Sequence, residues 1–249
     1  MNLGLQRIRI AIEMLNYEQV LKVGLLFFAL VAIFGVFAGS NEPVVWFLEG
    51  TTLEPLLNEL HIGNSIVFNL SVGYLVSTFF WLLVVYFPER RRKTILRNNL
   101  SRRYQSFKED TIQILLSCAI NTYDFELVKE LCDHRRFRAF FDEKNKERWY
   151  SALNGLEENT DRINDLLLEL EMLAREVAYI LDNVSIQDPK VHDFFKRLNE
   201  HIYRLKNASV YSGEQVKYLS SFLWEIHACW NRIDGQQDKD NIREMIDTL

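Results

Sequence analysis

The chain has 249 residues, 48% hydrophobic and 25% charged, and its 29 basic against 34 acidic side chains give a net charge of −5. Ten glycines, four prolines and three cysteines exclude collagen-like, low-complexity and disulfide-scaffold chains. The average hides a split that a purely water-soluble protein does not show: residues 23–40 carry no charge, and residues 60–88 carry none besides a neutral His61.

In chain order, residues 1–22 mix apolar side chains with Arg7 and Arg9. They read either as an amphipathic cytoplasmic segment lying in a membrane surface or as the first part of a longer helix entering it. Residues 20–40 and 63–87 predict two membrane-spanning helices, because about 20 helical residues rise roughly 30 Å. Val36, Phe37 and Ala38 before Gly39 resemble a signal-cleavage site, but the 22 residues ahead of the run are too many for an ordinary leader, so the segment reads as an uncleaved span. The connection, residues 41–62, holds Glu42, Glu49, Glu54 and Glu59, no Lys or Arg, and Pro43, Trp46, Phe47 and Pro55. It is expected outside. Arg7, Arg9 and Lys22 precede the first span, and Arg90, Arg91, Arg92, Lys93, Arg97, Arg102 and Arg103 follow the second, which predicts both termini in the cytoplasm of a bacterial inner membrane. The seven following the second span suit anionic lipid headgroups. Cys118, Cys132 and Cys229 then lie on the reducing side, where no disulfide is expected.

Within the second span Ser65, Asn69, Gly73 and Ser77 recur every four residues, which puts small and polar groups on one face for helix packing or for lining a pore. Gly35 and Gly39 make a GxxxG pair in the first span. Beyond the membrane the pattern is helical, with no convincing strand. A basic juxtamembrane helix, residues 89–123, is expected to reach Ile112, Leu115 and Leu116. A helical domain, 124–234, follows it, and a polar tail, 235–249, with one weak amphipathic turn at Ile242, Met245 and Ile246, comes last. Asp124 is placed to cap a short helix. Trp149, Leu153, Leu156, Thr160, Ile163, Leu167, Leu170, Ala174, Val177 and Leu181 form a heptad seam, on one helix or on two broken at Asn154 and Gly155, serving an internal bundle or a coiled coil between subunits. Asp188 and Pro189 open a helix with Val191, Phe194, Phe195, Leu198, Ile202 and Leu205 on its apolar face. A last helix is expected over about residues 213–233.

Catalytic signatures are missing. There is no glycine-rich phosphate loop, no HExxH, no Glu-x-x-His and no HEPN-type Arg–His spacing, so neither an enzyme nor a cofactor is expected. Cys132 with His134 and His227 with Cys229 supply two thiols and two imidazoles, a candidate zinc set. Residues two apart on a helix diverge by roughly 200°, which opposes it, and the bland expectation is buried cysteines with solvent-facing histidines. Arg135, Arg136, Arg138, Lys144, Lys146 and Arg148 form a second basic cluster, a candidate anionic-ligand site or a surface paired with neighbouring carboxylates. From Tyr104 onward acidic residues outnumber basic ones 27 to 19, which disfavours bulk nucleic-acid binding.

The expected architecture is therefore all-α: a two-helix transmembrane hairpin followed by a cytoplasmic helical bundle. This layout, with the stretch 173–205 around Ala174, Val177, Asp188, Phe194 and Phe195, resembles the two-span membrane effectors of bacterial anti-phage systems, such as those of some retrons. The resemblance implies membrane disruption on activation. The expected partners are membrane lipids, further copies of the chain, and a cytoplasmic protein or ligand as trigger. The alternative is a constitutive anchor or adaptor whose helical domain docks a cytoplasmic partner through the seam.

Overall fold

The chain, seen as a computed structural model, is described over residues 23–40, 50, 52, 54–59, 61–120, 123–186, 188–207, 214–231, 233 and 235–249. The expected surface segment 1–22 and most of the 41–62 connection, Pro43, Trp46 and Phe47 included, lie outside those residues. Two compact units divide after Arg92.

The first unit is built on a pair of apolar helices, α1 (Val23–Gly39) and α3 (Ser65–Trp81), with a short α2 (Glu54–Glu59) between them. Asn64 starts α3 by accepting the amides of Ile66 and Val67 on its side chain, which satisfies donors that a helix start leaves open. The helices run antiparallel. The Tyr74 hydroxyl donates to the Leu25 carbonyl at 3.3 Å, while the Ile62 amide donates to the Ala38 carbonyl at 2.7 Å at the opposite end. The contact depends on small residues. A Cβ on Gly35 would overlap the Ser71 hydroxyl, and one on Gly39 would lie 2.7 Å from the Phe68 amide nitrogen. Away from that contact the surface is apolar and open: Ile66 and Leu70 are each 76% exposed.

Helical structure runs unbroken from Ser65 to Ala119, and this is the one helix among the described residues long and apolar enough to cross a membrane; only 6% of its apolar window is buried, unlike a soluble core helix. The 17-residue α1 is shorter, about 25 Å. The residues 20–22 that were to complete the first span lie outside the described ones. Between α3 and α4 (Phe87–Ala119) the helix widens into a π turn, Leu82–Tyr86, where the Phe87 amide reaches the Leu82 carbonyl. Pro88 follows directly. It has no N–H to give to an i−4 carbonyl, and the widened turn carries the helix past that missing bond.

The second unit is a helical bundle around α4, whose Leu96, Leu100, Tyr104, Phe107, Thr111 and Leu115 fall at steps of three and four and are all buried. The expected juxtamembrane helix is thus a core element of the bundle over most of its length, because this stripe points inward. After it come α5 (Phe125–Leu131), α6 (His134–Phe141) and α7 (Glu143–Glu157), then α8 (Thr160–Asn183) and α9 (Pro189–Asn207), the most extensive helix pair in the bundle. Asp124 caps α5 as expected, accepting the Leu127 amide, and Asp133 caps α6. α10 (Glu214–His227) leads to an antiparallel pair, β1 (Trp230–Asn231) and β2 (Gly235–Gln236), and to α11 (Asn241–Thr248).

Four sequence expectations are corrected here. The seam helix breaks at Glu158 and Asn159, where the Asn159 side chain accepts the amides of Asp161 and Arg162, and not at Asn154 and Gly155. The buried stripe of α8 is Leu166, Leu170, Leu173, Val177, Ile180 and Val184, so the predicted seam shares only Leu170 and Val177 with it. Ile163, Leu167, Ala174 and Leu181 sit half-buried on its flank, because the break resets the helical phase. The last long helix ends at His227, six residues before Ile233, which is 92% exposed. The tail is not merely polar: Ile242, Ile246 and Leu249 are buried in the bundle.

Gly155 has a different role from the predicted break. A Cβ there would lie 2.9 Å from both the Cβ and the carbonyl oxygen of Cys118, so α7 approaches α4 too closely for any side chain. Gly155→Ala raises helix propensity by about 1 kcal/mol, yet the overlap involves backbone and is expected to outweigh it, with a net loss of about 1–3 kcal/mol. Denaturant unfolding of the full chain in detergent, followed by tryptophan fluorescence, should show the lower midpoint; a higher one would mean that the two helices separate freely.

Candidate functional site

In the first unit the structure separates two sets of small residues that the sequence presented together. Gly35 and Gly39 form the contact between α1 and α3, with Ser71 as their counterpart. Ser65, Asn69, Gly73 and Ser77 take no part in it. All four are exposed, and a Cβ on Gly73 would meet nothing within 4 Å. α3 therefore has one face used within the chain and a second, polar face left outward among apolar neighbours.

In the second unit a buried polar seam lies along α4. The Tyr104 hydroxyl donates to the Asp240 carboxylate, at 3.0 and 2.9 Å from its two oxygens, and Lys108 Nζ lies 3.2 Å from Oδ2. Lys108 is only 5% exposed. One turn further on, the Thr111 hydroxyl donates to the Phe107 carbonyl at 2.6 Å and lies 2.9 Å from His227 Nε2. With its proton so committed, Thr111 accepts from Nε2–H, and His227 is the neutral imidazole with a bare Nδ1. His227 is fully buried, stacked on Phe107 and Phe137, which corrects the expectation of a solvent-facing histidine. Burial, helped by the Lys108 charge, holds its pKa well below the ordinary 6.5. Burial and the Asp240 carboxylate push the Tyr104 hydroxyl well above its ordinary 10.0.

The four candidate zinc ligands do come to the same region, since Lys108 acts electrostatically on Cys132, His134, His227 and Cys229 alike. They do not form a metal centre: among the described residues no three His, Cys, Asp or Glu side chains are grouped to hold an ion. Burial pushes both the Cys132 and Cys229 thiols up to about 11, leaving them protonated at neutral pH, and a buried ammonium among them opposes a further cation. None of this chemistry favours a nucleophile either.

The second basic cluster is engaged on its own chain. Arg138 Nη1 donates to the Ala228 and Gln237 carbonyls at 2.8 and 3.3 Å; Arg136 pairs with Glu130 at 3.1 Å and Arg135 with Asp238 at 3.6 Å. Lys146 lies over the Trp224 ring, 4.4 Å from its centroid, and 3.8 Å from Asp142, while Arg148 pairs with Glu143 at 2.6 Å. The Lys144 side chain lies outside the described residues. Of the first cluster, Arg91 and Arg92 are exposed and Lys93 and Arg97 half-exposed. Arg90 reaches the Tyr86 hydroxyl at 3.4 Å and Arg102 donates to Asn99 at 2.6 Å. Arg103 is turned inward to Glu169 on α8, so it belongs to the bundle and not to a headgroup surface.

Two open clefts lie on the surface of the bundle among the described residues. One, about 470 Å³, lies between α8 and α9 over Ala174, Ala178, Ile202 and Tyr203, beside a Lys206–Glu171–Arg175 ion network. The other, about 340 Å³ and polar, is lined by Asp110, Gln113, Arg162, Asp165 and Glu169. These features define a mostly helical protein with an apolar, membrane-compatible helix and a separately packed helical bundle. Comparison with protein-family models, with curated proteins and with solved structures finds no match to this chain.

The depressed His227 pKa carries a signed consequence. Its folded pKa is below its unfolded one, so the stability from neutral His227 is complete above about pH 6.5 and is lost as pH falls below that value. Denaturation midpoints of the full chain should therefore drop between pH 7.5 and 5, and the drop should be smaller in the Thr111→Val, His227→Phe double variant. Equal slopes for the two proteins would mean that His227 accepts a proton where it lies.

Proposed function

We propose that the chain is a non-enzymatic integral membrane effector. Its helical bundle, on the cytoplasmic side of a bacterial inner membrane, receives a protein or ligand signal and changes how the apolar hairpins of several copies associate, so that the membrane becomes permeable. The observation that carries this reading is the outer face of α3, where exposed Ser65, Asn69, Gly73 and Ser77 interrupt an otherwise apolar exposed surface. An amide such as Asn69 in hydrocarbon is costly unless it is hydrogen-bonded, and further copies of the chain would supply either a neighbouring helix or water in a pore. The continuity of helix from Ser65 to Ala119 supports mechanical coupling, since the same helix supplies the central stripe of the bundle. The resemblance to anti-phage effectors points to the same use.

The rival reading, a constitutive anchor docking a partner through the heptad seam, draws less support, since four of the ten seam residues, Trp149, Leu156, Leu170 and Val177, are buried inside the bundle. The exposed outer face also makes the test clean. Gly73→Leu adds bulk where none of the described residues lies within 4 Å, so it probes association between copies and leaves the α1–α3 contact intact. Expression of the wild-type chain should collapse the membrane potential and stop growth, measured with a potential-sensitive dye, and Gly73→Leu or Asn69→Leu should relieve both. A collapse that persists in these variants would remove the outer face of α3 from the mechanism, and an unaffected potential in the wild type would favour the anchor.

A further inference from the structure

The Asp240 contact is built unlike the rest of the core. Most of the core is built from apolar side chains, but here a segment is fastened to α4 by one carboxylate that takes both the Tyr104 hydroxyl and the Lys108 ammonium. Both donors belong to α4 and are sealed from water, Tyr104 at 1% and Lys108 at 5% exposure. The segment that brings the carboxylate begins at Ala228 and Cys229. Cys229 has φ +47, a left-handed conformation that a side chain resists, and the chain reverses at Gly235 with φ +72. Arg138 spans the reversal, holding the Ala228 and Gln237 carbonyls together. Beyond Asp240, α11 is eight residues long, too short to persist as a helix by itself, and is anchored by Ile242, Ile246 and Leu249.

We propose that residues 228–249 form a latch in which Asp240 fills, from within the chain, a carboxylate-binding site made by Tyr104 and Lys108, and that an acidic segment of a protein partner takes this site in exchange. Exchange follows from the burial. Removing Asp240 alone strands an ammonium and a hydroxyl in the interior, so the open state is strongly disfavoured until another carboxylate is supplied. A strained entry, a short helix with three apolar anchors and a polar fastening are what permit that substitution without unfolding α8 and α9. The inference names the trigger class for the proposed effector and rests on that reading only for the consequence of opening; the test uses no membrane readout, so the two stand or fall separately.

Native-state hydrogen exchange on the full chain in detergent is the first measurement. Amides of α11 should exchange at least tenfold faster than those of α8 and α9, and Asp240→Asn should speed α11 by a further tenfold while leaving α8 and α9 unchanged. Exchange of α11 at the rate of α8 and α9, or an equal increase throughout in the variant, would overturn the latch. A fluorescein-labelled peptide of residues 237–249 is the second probe. It should bind the Asp240→Asn chain at least tenfold more tightly than wild type and should not bind the Lys108→Met, Asp240→Asn double variant. Equal binding to all three, or none to Asp240→Asn, would show that Tyr104 and Lys108 do not form an exchangeable carboxylate site.

Discussion

A lysine withdrawn from water sets the terms for the second unit. Lys108 lies on the buried stripe of α4, one turn from Tyr104 and three residues from Thr111, so α4 presents polar groups to the interior at three successive positions. Each of them demands a partner, because an unpaired polar group or charge in an apolar interior costs several kcal/mol. Asp240 meets Tyr104 and Lys108, and His227 meets Thr111. Those two residues come from the last part of the described chain. The C-terminal segment is thus tied to the central helix by polar necessity as much as by its apolar anchors, and the ends of α10 and α11 are located by it.

The first unit obeys a different constraint. Its two apolar helices are joined by close approach, which small residues permit and dispersion contacts reward. Gly35 and Gly39 against Ser71 and Phe68 provide that approach. The mostly apolar exposed surface of these helices makes exposed polar groups conspicuous. Asn69 on an apolar face is as informative there as Lys108 is in a soluble core, since each marks a place where something else is required. In both units the polar exception is the feature from which a function is proposed.

The region around Cys132, His134, His227 and Cys229 is poorly suited to metal or thiolate chemistry by the same electrostatics. Cys132, His134, His227 and Cys229 lie within the field of Lys108, and burial keeps both thiols protonated. Most of the basic residues from Arg135 to Arg148 are taken up by carboxylates, carbonyls and aromatic rings of the chain itself. Such surface pairs add little stability individually, about 0–1 kcal/mol each.

By itself the sequence determined the apolar runs, the helical class, the cap at Asp124, the helix start at Asp188 and Pro189 and the inward face of α9, because each of these depends on periodicity or on a residue's own backbone preference over a few neighbours. It did not determine which of two adjacent stripes on α8 faces inward. Ile163, Leu167 and Ala174 suit a seam as well as Leu166 and Leu173 do, and only the break at Asn159 and the packing of α9 select the second stripe. Nor could it show that Gly155 marks a close helix crossing, that His227 is buried, or that Asp240 answers Lys108 from 132 residues away. These depend on which surfaces meet. Pairing across such separations is decided by the joint demand to bury apolar area and to satisfy every buried polar atom, a condition on the whole chain that no local window contains.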